Sequence, residues 1–505
     1  MAEYLGIELG STRIKAVAID ESFKTVNSSD FTWESRYVDG IWTYAMEEVW
    51  KGMKEVLAPF KGKSFAAVGI SGMMHGYLAF DSDWNLLAPF RTWQNTITAQ
   101  AADELTALFG FNIPQRWSIA HLWQAILNGE EHVKNVAHIT TLAGYVHYML
   151  TGVNAVGIGE ASGMFPIDSN ALDYNAEMLD KLDALAAEKG FNKKIRDVLP
   201  AVLPAGKNAG SLTEAGAKLI DGALAVGTSF APCEGDAGTG MVATNAVAPR
   251  TGNVSAGTSI FAMIVLERAL SSVYQEIDMV TTPAGMPVAM VHCNNCTADT
   301  NAWAGIFRET AELFGAKVTT GELFTKLYLK SLEGDADCGG VTVFNYLAGE
   351  GVTHIDEGRP LVIRNADSKF NLANFMRSQL YSSMATMKLG MEILEKEAVQ
   401  IDSLTGHGGL FKTPGVGQRY MAAACNAAIT CMETAGEGGP YGMALLAAYS
   451  KNADEPLEDF LSKKVFAEAK SVTLAPDAAD VEGFKAYIDK YRSGLKVELA
   501  AVENM

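Results

Sequence analysis

A glycine corner set between two apolar runs occurs twice in this chain, and its recurrence limits the possible folds more than any other feature. The first copy is "IELGSTRIKAVAID" at 7–20, where Gly10-Ser11-Thr12 separates Ile- and Val-rich runs at 4–9 and 14–19. The second is "GNVSAGTSIFAMIV" at 252–265, where Gly257-Thr258-Ser259 lies between 252–256 and 260–266. Each reads as a β-hairpin closed by a tight turn. A helical pattern follows the first hairpin at 43–60, with Met46, Val49, Trp50, Met53 and Leu57 at helical spacing and a stop at Pro59. Next comes a short apolar strand, "FAAVGISGM" at 65–73. Strands alternating with helices predict an α/β fold. The second hairpin is followed by helical stretches at 300–314 and 372–397, a strand at 400–406, and a glycine loop that opens onto a helix within 406–426. The same order appears twice, so the sequence predicts two α/β halves of similar architecture.

At 505 residues, a division into two or three domains is expected. The glycine-dense stretch at 232–259 and its "APRTG" at 248–252 mark the boundary. We divide the chain into an N-terminal domain at 1–248, a C-terminal domain at 249–455 and a helical tail at 456–505, with the tail expected to pack back on the first domain. The net charge of −19 disfavours nucleic acid and anionic lipid as partners. A small anionic ligand is compatible with it, because local backbone dipoles can cradle phosphate. Six cysteines make no disulfide framework, and Cys293 and Cys296 read as small buried residues rather than a metal pair. No basic-then-apolar leader precedes the first strand, and no run of about 18 apolar residues occurs. A reduced, cytoplasmic protein without membrane segments is expected, with a homodimer as the assembly considered.

Five segments could carry chemistry. Gly10–Thr12 can present amide and hydroxyl donors to phosphate oxygens, although an ordinary hairpin has the same composition. Glu8 stands in an otherwise apolar strand, where a carboxylate needs a cation or water; Mg²⁺ travelling with a nucleotide would meet that need. Asp236, in "EGDAGTG", is flanked by glycines that permit close approach of a ligand, which suits a general base or a plain turn. "MMHG" at 73–76 ends a buried strand, so His75 could bond a polyol or sit satisfied in the core, and "WQN" at 93–95 offers a ring and amides to a sugar. "GHGG" at 406–409 is a strand-to-helix turn suited to a flat ring or phosphate. Neither a Rossmann fingerprint nor a Walker A lysine motif is present.

These pieces, in this order, resemble the FGGY carbohydrate kinases of the actin-like ATPase superfamily, and the resemblance spans nearly the whole chain. "IELGSTRIKAVAID" resembles the first phosphate loop, "SAGTS" the second, "CEGDAGTG" the catalytic-base segment and "TGHGGLFKTP" the adenosine segment. "FNYLAGEGVTHIDEGRP" at 344–360 is similar to a characteristic stretch of the family's second domain, and "MMHG" to the sugar segment of xylulokinases and related ketopentose kinases. The resemblance implies two ribonuclease-H-like domains with a central cleft. It further implies ATP and Mg²⁺ as cofactors, a small-molecule sugar as substrate, and transfer to the terminal hydroxyl of a ketopentose, D-xylulose or L-ribulose. Another ketose or polyol, or a non-catalytic nucleotide-binding sugar sensor, is the alternative. Carried over residue by residue, Gly10, Ser11, Thr12, Lys15, Gly257, Thr258, Ser259, Gly406, Gly408 and Gly409 would bind ATP, and Glu8 would face the metal. Asp236 would be the base, and Met74, His75, Trp93 and Asn95 would line the sugar pocket. Two positions depart from the family pattern. Glu8 stands where Asp is usual, and Trp93-Gln94-Asn95-Thr96-Ile97 replaces a Trp-x-Asp-x-Arg run, which bears on the identity of the sugar.

Overall fold

The first hairpin forms as its alternation predicts. In a computed structural model describing residues 2–433 and 438–505, strand β1 (Tyr4–Leu9) turns at Gly10–Thr12 into β2 (Arg13–Ile19), which pairs with β3 (Thr25–Thr32). The run at 65–73 becomes β4 (Ala67–Gly72), buried along its whole length and parallel to β1, as a continuous apolar strand should be. The two-residue strand β5 (Glu234–Gly235) adds to the far side of β4, giving the order β5-β4-β1-β2-β3.

The second hairpin repeats this plan. Strand β6 (Thr251–Ala256) turns at 257–259 into β7 (Ile260–Val265), and β8 (Pro287–Cys293) lies beyond β7. On the other side, β9 (Ser403–His407) runs parallel to β6 and β10 (Ala428–Met432) parallel to β9, with β11 (Ser471–Leu474) antiparallel at the edge. The order β8-β7-β6-β9-β10 matches β3-β2-β1-β4-β5 strand for strand. The duplication suspected from two glycine corners is thus one of topology.

Contacts divide the chain into two units. The first comprises Met1–Pro249, Val265–Val288 and Glu437–Ala469; the second comprises Arg250–Ile264, Ala289–Gly436 and Lys470–Met505. Several segments fall elsewhere than a linear division puts them, Val265–Val288 in the first unit among them. The helix Gly438–Tyr449 belongs to the first unit, where it lies on β1 and β4. Gly6 makes this possible, since a Cβ there would run into the Pro440 carbonyl and the Ala444 amide. The tail divides: its start, through Ala469, stays with the first unit as expected, whereas the C-terminal helix Ala478–Asn504 belongs to the second. Its Phe484, Tyr487 and Tyr491 are buried, and Asp480 bridges Arg377 at 2.5 Å and Arg419. The two guanidiniums hold the Asp480 carboxyl below the usual carboxylate range, although burial alone would raise it. Among the described residues no helix is long and apolar enough to cross a membrane.

Candidate active site

In the first unit the chemistry gathers at the C-terminal ends of β1, β4 and β5. Glu8 is opposite Lys15 on β2 and Ser71 on β4. It is the one β1 residue not fully buried. Its carboxyl comes so close to the Gly438–Tyr449 helix that a Cβ on Gly439 would collide with it. Burial and the neighbouring Asp236 charge push Glu8 up to about 7, against the pull of Lys15. A carboxyl so placed favours a cation. Its donor set is hard oxygen, with the Asp236 carboxyl and the Thr239 and Ser71 hydroxyls nearby, which suits Mg²⁺ held largely through water and phosphate.

Asp236 begins the helix Asp236–Ala243 directly after β5. Its Oδ1 accepts from the Met74 amide at 3.1 Å and the Ala237 amide at 3.0 Å. Burial raises its pKa while these amides oppose the rise. The result is a half-buried carboxylate, oriented by main chain and made more basic than an exposed one. The Met74 bond ties it to the "MMHG" loop. There, His75 has φ +71°, in the left-handed region that a side chain rarely adopts, and is followed by Gly76 at +87°. The loop is held by Ser118 Oγ donating to the Gly76 carbonyl at 2.6 Å and by the Gly76 amide donating to the Arg116 carbonyl at 3.2 Å. His75 Nδ1 is 3.1 Å from the Gly163 carbonyl, which can only accept, so Nδ1 carries a proton.

The two glycine corners share a hydrogen-bonding logic. At the first, every carbonyl is taken. Trp33 Nε1 donates to Gly10 O at 2.7 Å, Tyr44 OH to Ser11 O at 2.7 Å, and the Trp33 amide to Thr12 O at 3.2 Å. At the second, the Thr297 amide and hydroxyl donate to Gly257 O at 3.1 and 2.8 Å, and the Cys296 amide to Thr258 O at 2.9 Å. Among the described residues no acceptor is bonded to the amides of Ser11, Thr12, Thr258 or Ser259. A turn whose carbonyls are bonded and whose amides have no acceptor has the donors that a concave anion site needs.

The 344–360 stretch supports the second corner. Glu350 accepts from the Asn294 amide at 2.9 Å, Asn295 Oδ1 accepts from the Leu347 and Ala348 amides, and Asn345 Nδ2 holds the Cys296 carbonyl at 2.8 Å. This fixes the 294–297 segment that binds Gly257 and Thr258. The 406–409 segment meets the same corner. His407 pairs with Ser255, and Gly408, at φ +101°, has no room for a Cβ against the Ala256 carbonyl. Gly409 follows it, and Gly406 lies against the Phe411 ring.

Among the expected sugar residues, Met74 bonds Asp236 through its amide, His75 follows Met74 in the chain, and Trp93 is 37% exposed with its Nε1 3.2 Å from Ser11 Oγ. Asn95 is 2% exposed and spends its amide on the main chain, Oδ1 on the Trp42 amide and Nδ2 on the Trp42 and Thr92 carbonyls. It shapes the loop that carries Trp93.

Sequence reasoning did not single out a buried acid pair beside Asp236. Glu234 Oε2 accepts from the Glu160 amide at 2.9 Å and Oε1 from the Gly159 amide at 3.4 Å. The Glu160 carboxyl makes no hydrogen bond of good geometry and lies 2.6 Å from where a Cβ on Gly235 would sit. Burial pushes Glu234 up to about 8, and burial together with the Glu234 and Asp236 charges pushes Glu160 well up. Glu234 lies within "CEGDAG", so the signal was there; nothing local marked Glu160.

Residues 3–243 match the N-terminal domain model of the FGGY family of carbohydrate kinases, and residues 252–451 match its C-terminal domain model. The xylulose kinase of Staphylococcus xylosus is 19% identical over 467 residues, covering 89% of this chain and 91% of that protein. Among solved structures, a ligand-bound xylulose kinase from Lactobacillus acidophilus superposes with a TM-score of 0.82 at 16% identity, with 99% of each chain covered. A gluconate kinase from the same organism gives 0.82 at 17%, again with 99% of each covered. The duplicated sheets are therefore those of the actin-like ATPase fold of sugar kinases. With both domain models matched in order, this chain belongs to the FGGY family of carbohydrate kinases.

Proposed function

We propose that the chain transfers the γ-phosphoryl group of ATP to the terminal hydroxyl of a ketopentose, D-xylulose or L-ribulose. One observation carries the reading: the Asp236 carboxylate, made basic by burial, is fixed by the Met74 amide beside the His75 loop. Asp236 takes the proton of the acceptor hydroxyl as that oxygen bonds to phosphorus and the bond to the ADP oxygen breaks. His75 hydrogen-bonds the sugar, and the Trp93 ring offers an apolar face. The amides and hydroxyls of Ser11, Thr12, Thr258 and Ser259 bind phosphate oxygens, Lys15 adds positive charge, and Gly406, Gly408 and Gly409 let adenosine lie against main chain. Glu8 would hold Mg²⁺ through water, and the ion would neutralise charge on the phosphates. Phosphoryl transfer needs alignment and charge neutralisation more than covalent help from protein, which matches a site built of amides, hydroxyls and one base. A cytoplasmic location and a homodimer accompany this reading, to be checked by fractionation and light scattering.

The test is ADP release across a panel of ketopentoses, ketohexoses, polyols and gluconate, with wild type beside Asp236→Asn. Release dependent on a ketopentose that falls at least about 100-fold in the variant is expected. Equal rates in the two proteins remove Asp236 as base. Preference for another acceptor replaces the ketopentose, and sugar binding without turnover favours the sensor.

A further inference from the structure

Three aromatic donors meet the first glycine corner, and one differs from the others. Trp33 and Tyr44, whose rings lie 4.3 Å apart, bind main-chain carbonyls and fix the shape of the turn. Trp93 instead reaches a side chain, with Nε1 3.2 Å from Ser11 Oγ. An indole nitrogen can only donate, so Ser11 Oγ must accept this bond. The Ser11 hydroxyl proton is then directed away from the indole, where the Tyr44 phenol oxygen also meets the Ser11 side chain, and a phosphate oxygen is a stronger acceptor than a neutral phenol. Among the described residues the Ser11 amide is without an acceptor.

We propose that Trp93 is a positioning residue for phosphoryl transfer: its indole N–H holds the Ser11 oxygen so that the hydroxyl donates to the transferring phosphate. The proposal rests on the kinase reading above and deepens it. Trp93 lies on the loop anchored by Asn95 to Trp42, and over a third of its surface is exposed, so one ring can meet a sugar while its nitrogen orders the phosphate corner. Occupancy of the acceptor site and readiness of the phosphate donors become linked through a single hydrogen bond.

The experiment is a double-mutant cycle on the full-length enzyme. Trp93→Phe keeps an aromatic face and removes the N–H, Ser11→Ala removes the hydroxyl, and the third variant combines them. Each single change is expected to lower kcat about tenfold with sugar KM within about threefold of wild type, and the double variant to be no slower than either. Trp93→His, which retains a ring N–H, is expected to recover part of the rate, a rescue that a purely structural role would not give. Additive losses, or a rise in sugar KM with kcat intact, overturn the proposal. Should Trp93→Phe fail to fold, Trp93→His with and without Ser11→Ala decides by the same additivity criterion. Wild type without sugar-dependent ADP release would remove the kinase reading alone. In that case the same proteins are titrated with ATP, where shared, non-additive weakening supports the link and additive weakening refutes it.

Discussion

Replacing Glu234 with glutamine should change how stability depends on pH, by an amount the site geometry sets. The Glu234 carboxyl is 1% exposed, and burial pushes its pKa from 4.5 up to about 8. The folded chain thus keeps a proton that the unfolded chain releases. The stability this proton confers is complete below about pH 4.5 and is lost as pH rises through about 8. Within that window each pH unit removes about 1.4 kcal/mol, so between pH 5 and 7.5 the loss from this group is about 3 kcal/mol. Glutamine is close to an uncharged copy of the protonated acid, so Glu234→Gln should start below or near wild type at pH 5 and gain on it steadily. At about 2 °C per kcal/mol for a unit of this size, the difference in Tm should grow by about 6 °C by pH 7.5. Thermal unfolding of both proteins in matched buffers from pH 5 to 8 reads it directly. A difference that does not change with pH would refute the reasoning, since it would mean that Glu234 ionises in the folded chain as it does in the unfolded one.

Three further outcomes are expected. Glu8→Gln should raise the Mg²⁺ concentration needed for half-maximal turnover and lower kcat, with sugar affinity within about twofold of wild type; normal turnover across a Mg²⁺ titration would remove Glu8 from the metal site. His75→Ala should raise sugar KM about tenfold or more while ATP KM stays put, as loss of a buried hydrogen bond to a substrate hydroxyl predicts, and unchanged kinetics would leave His75 a core residue. Gly6→Ala should lower Tm sharply, because its Cβ meets helix main chain that cannot swing aside, at a cost of about 2 kcal/mol or more; a variant as stable as wild type would contradict the helix placement.

What the sequence disclosed was what local patterns encode. Alternation and a Gly-Ser-Thr turn marked the first hairpin, and the observed strands at Tyr4–Leu9 and Arg13–Ile19 lie where those runs do. Helical spacing placed Met46–Leu57 and Leu372–Lys396 within a few residues. Glycines flanking Asp236 pointed to an accessible carboxylate, and the chain bends there from β5 into a helix. Hidden features depend on contacts between residues far apart in the chain. Asn95 looked like a sugar ligand because an amide next to a tryptophan has the right chemistry, yet Trp42, 53 positions away, claims it. Glu160 and Glu234 are 74 positions apart, and no periodicity connects them. The tail's attachment depends on Asp480 finding Arg377 and Arg419. The binding of the corner carbonyls by Trp33, Tyr44, Cys296 and Thr297 is likewise tertiary.

The seating of the Gly438–Tyr449 helix on β1 and β4 has a consequence for synthesis on the ribosome. The helix that covers β1 is made more than four hundred residues after it. At about 5 to 20 residues per second, the nascent first unit waits roughly 20 to 90 s with an oily sheet face bare. Such a chain cannot complete its first half before starting its second. A stalled or prematurely terminated product would expose just the surface that chaperones and proteases patrol.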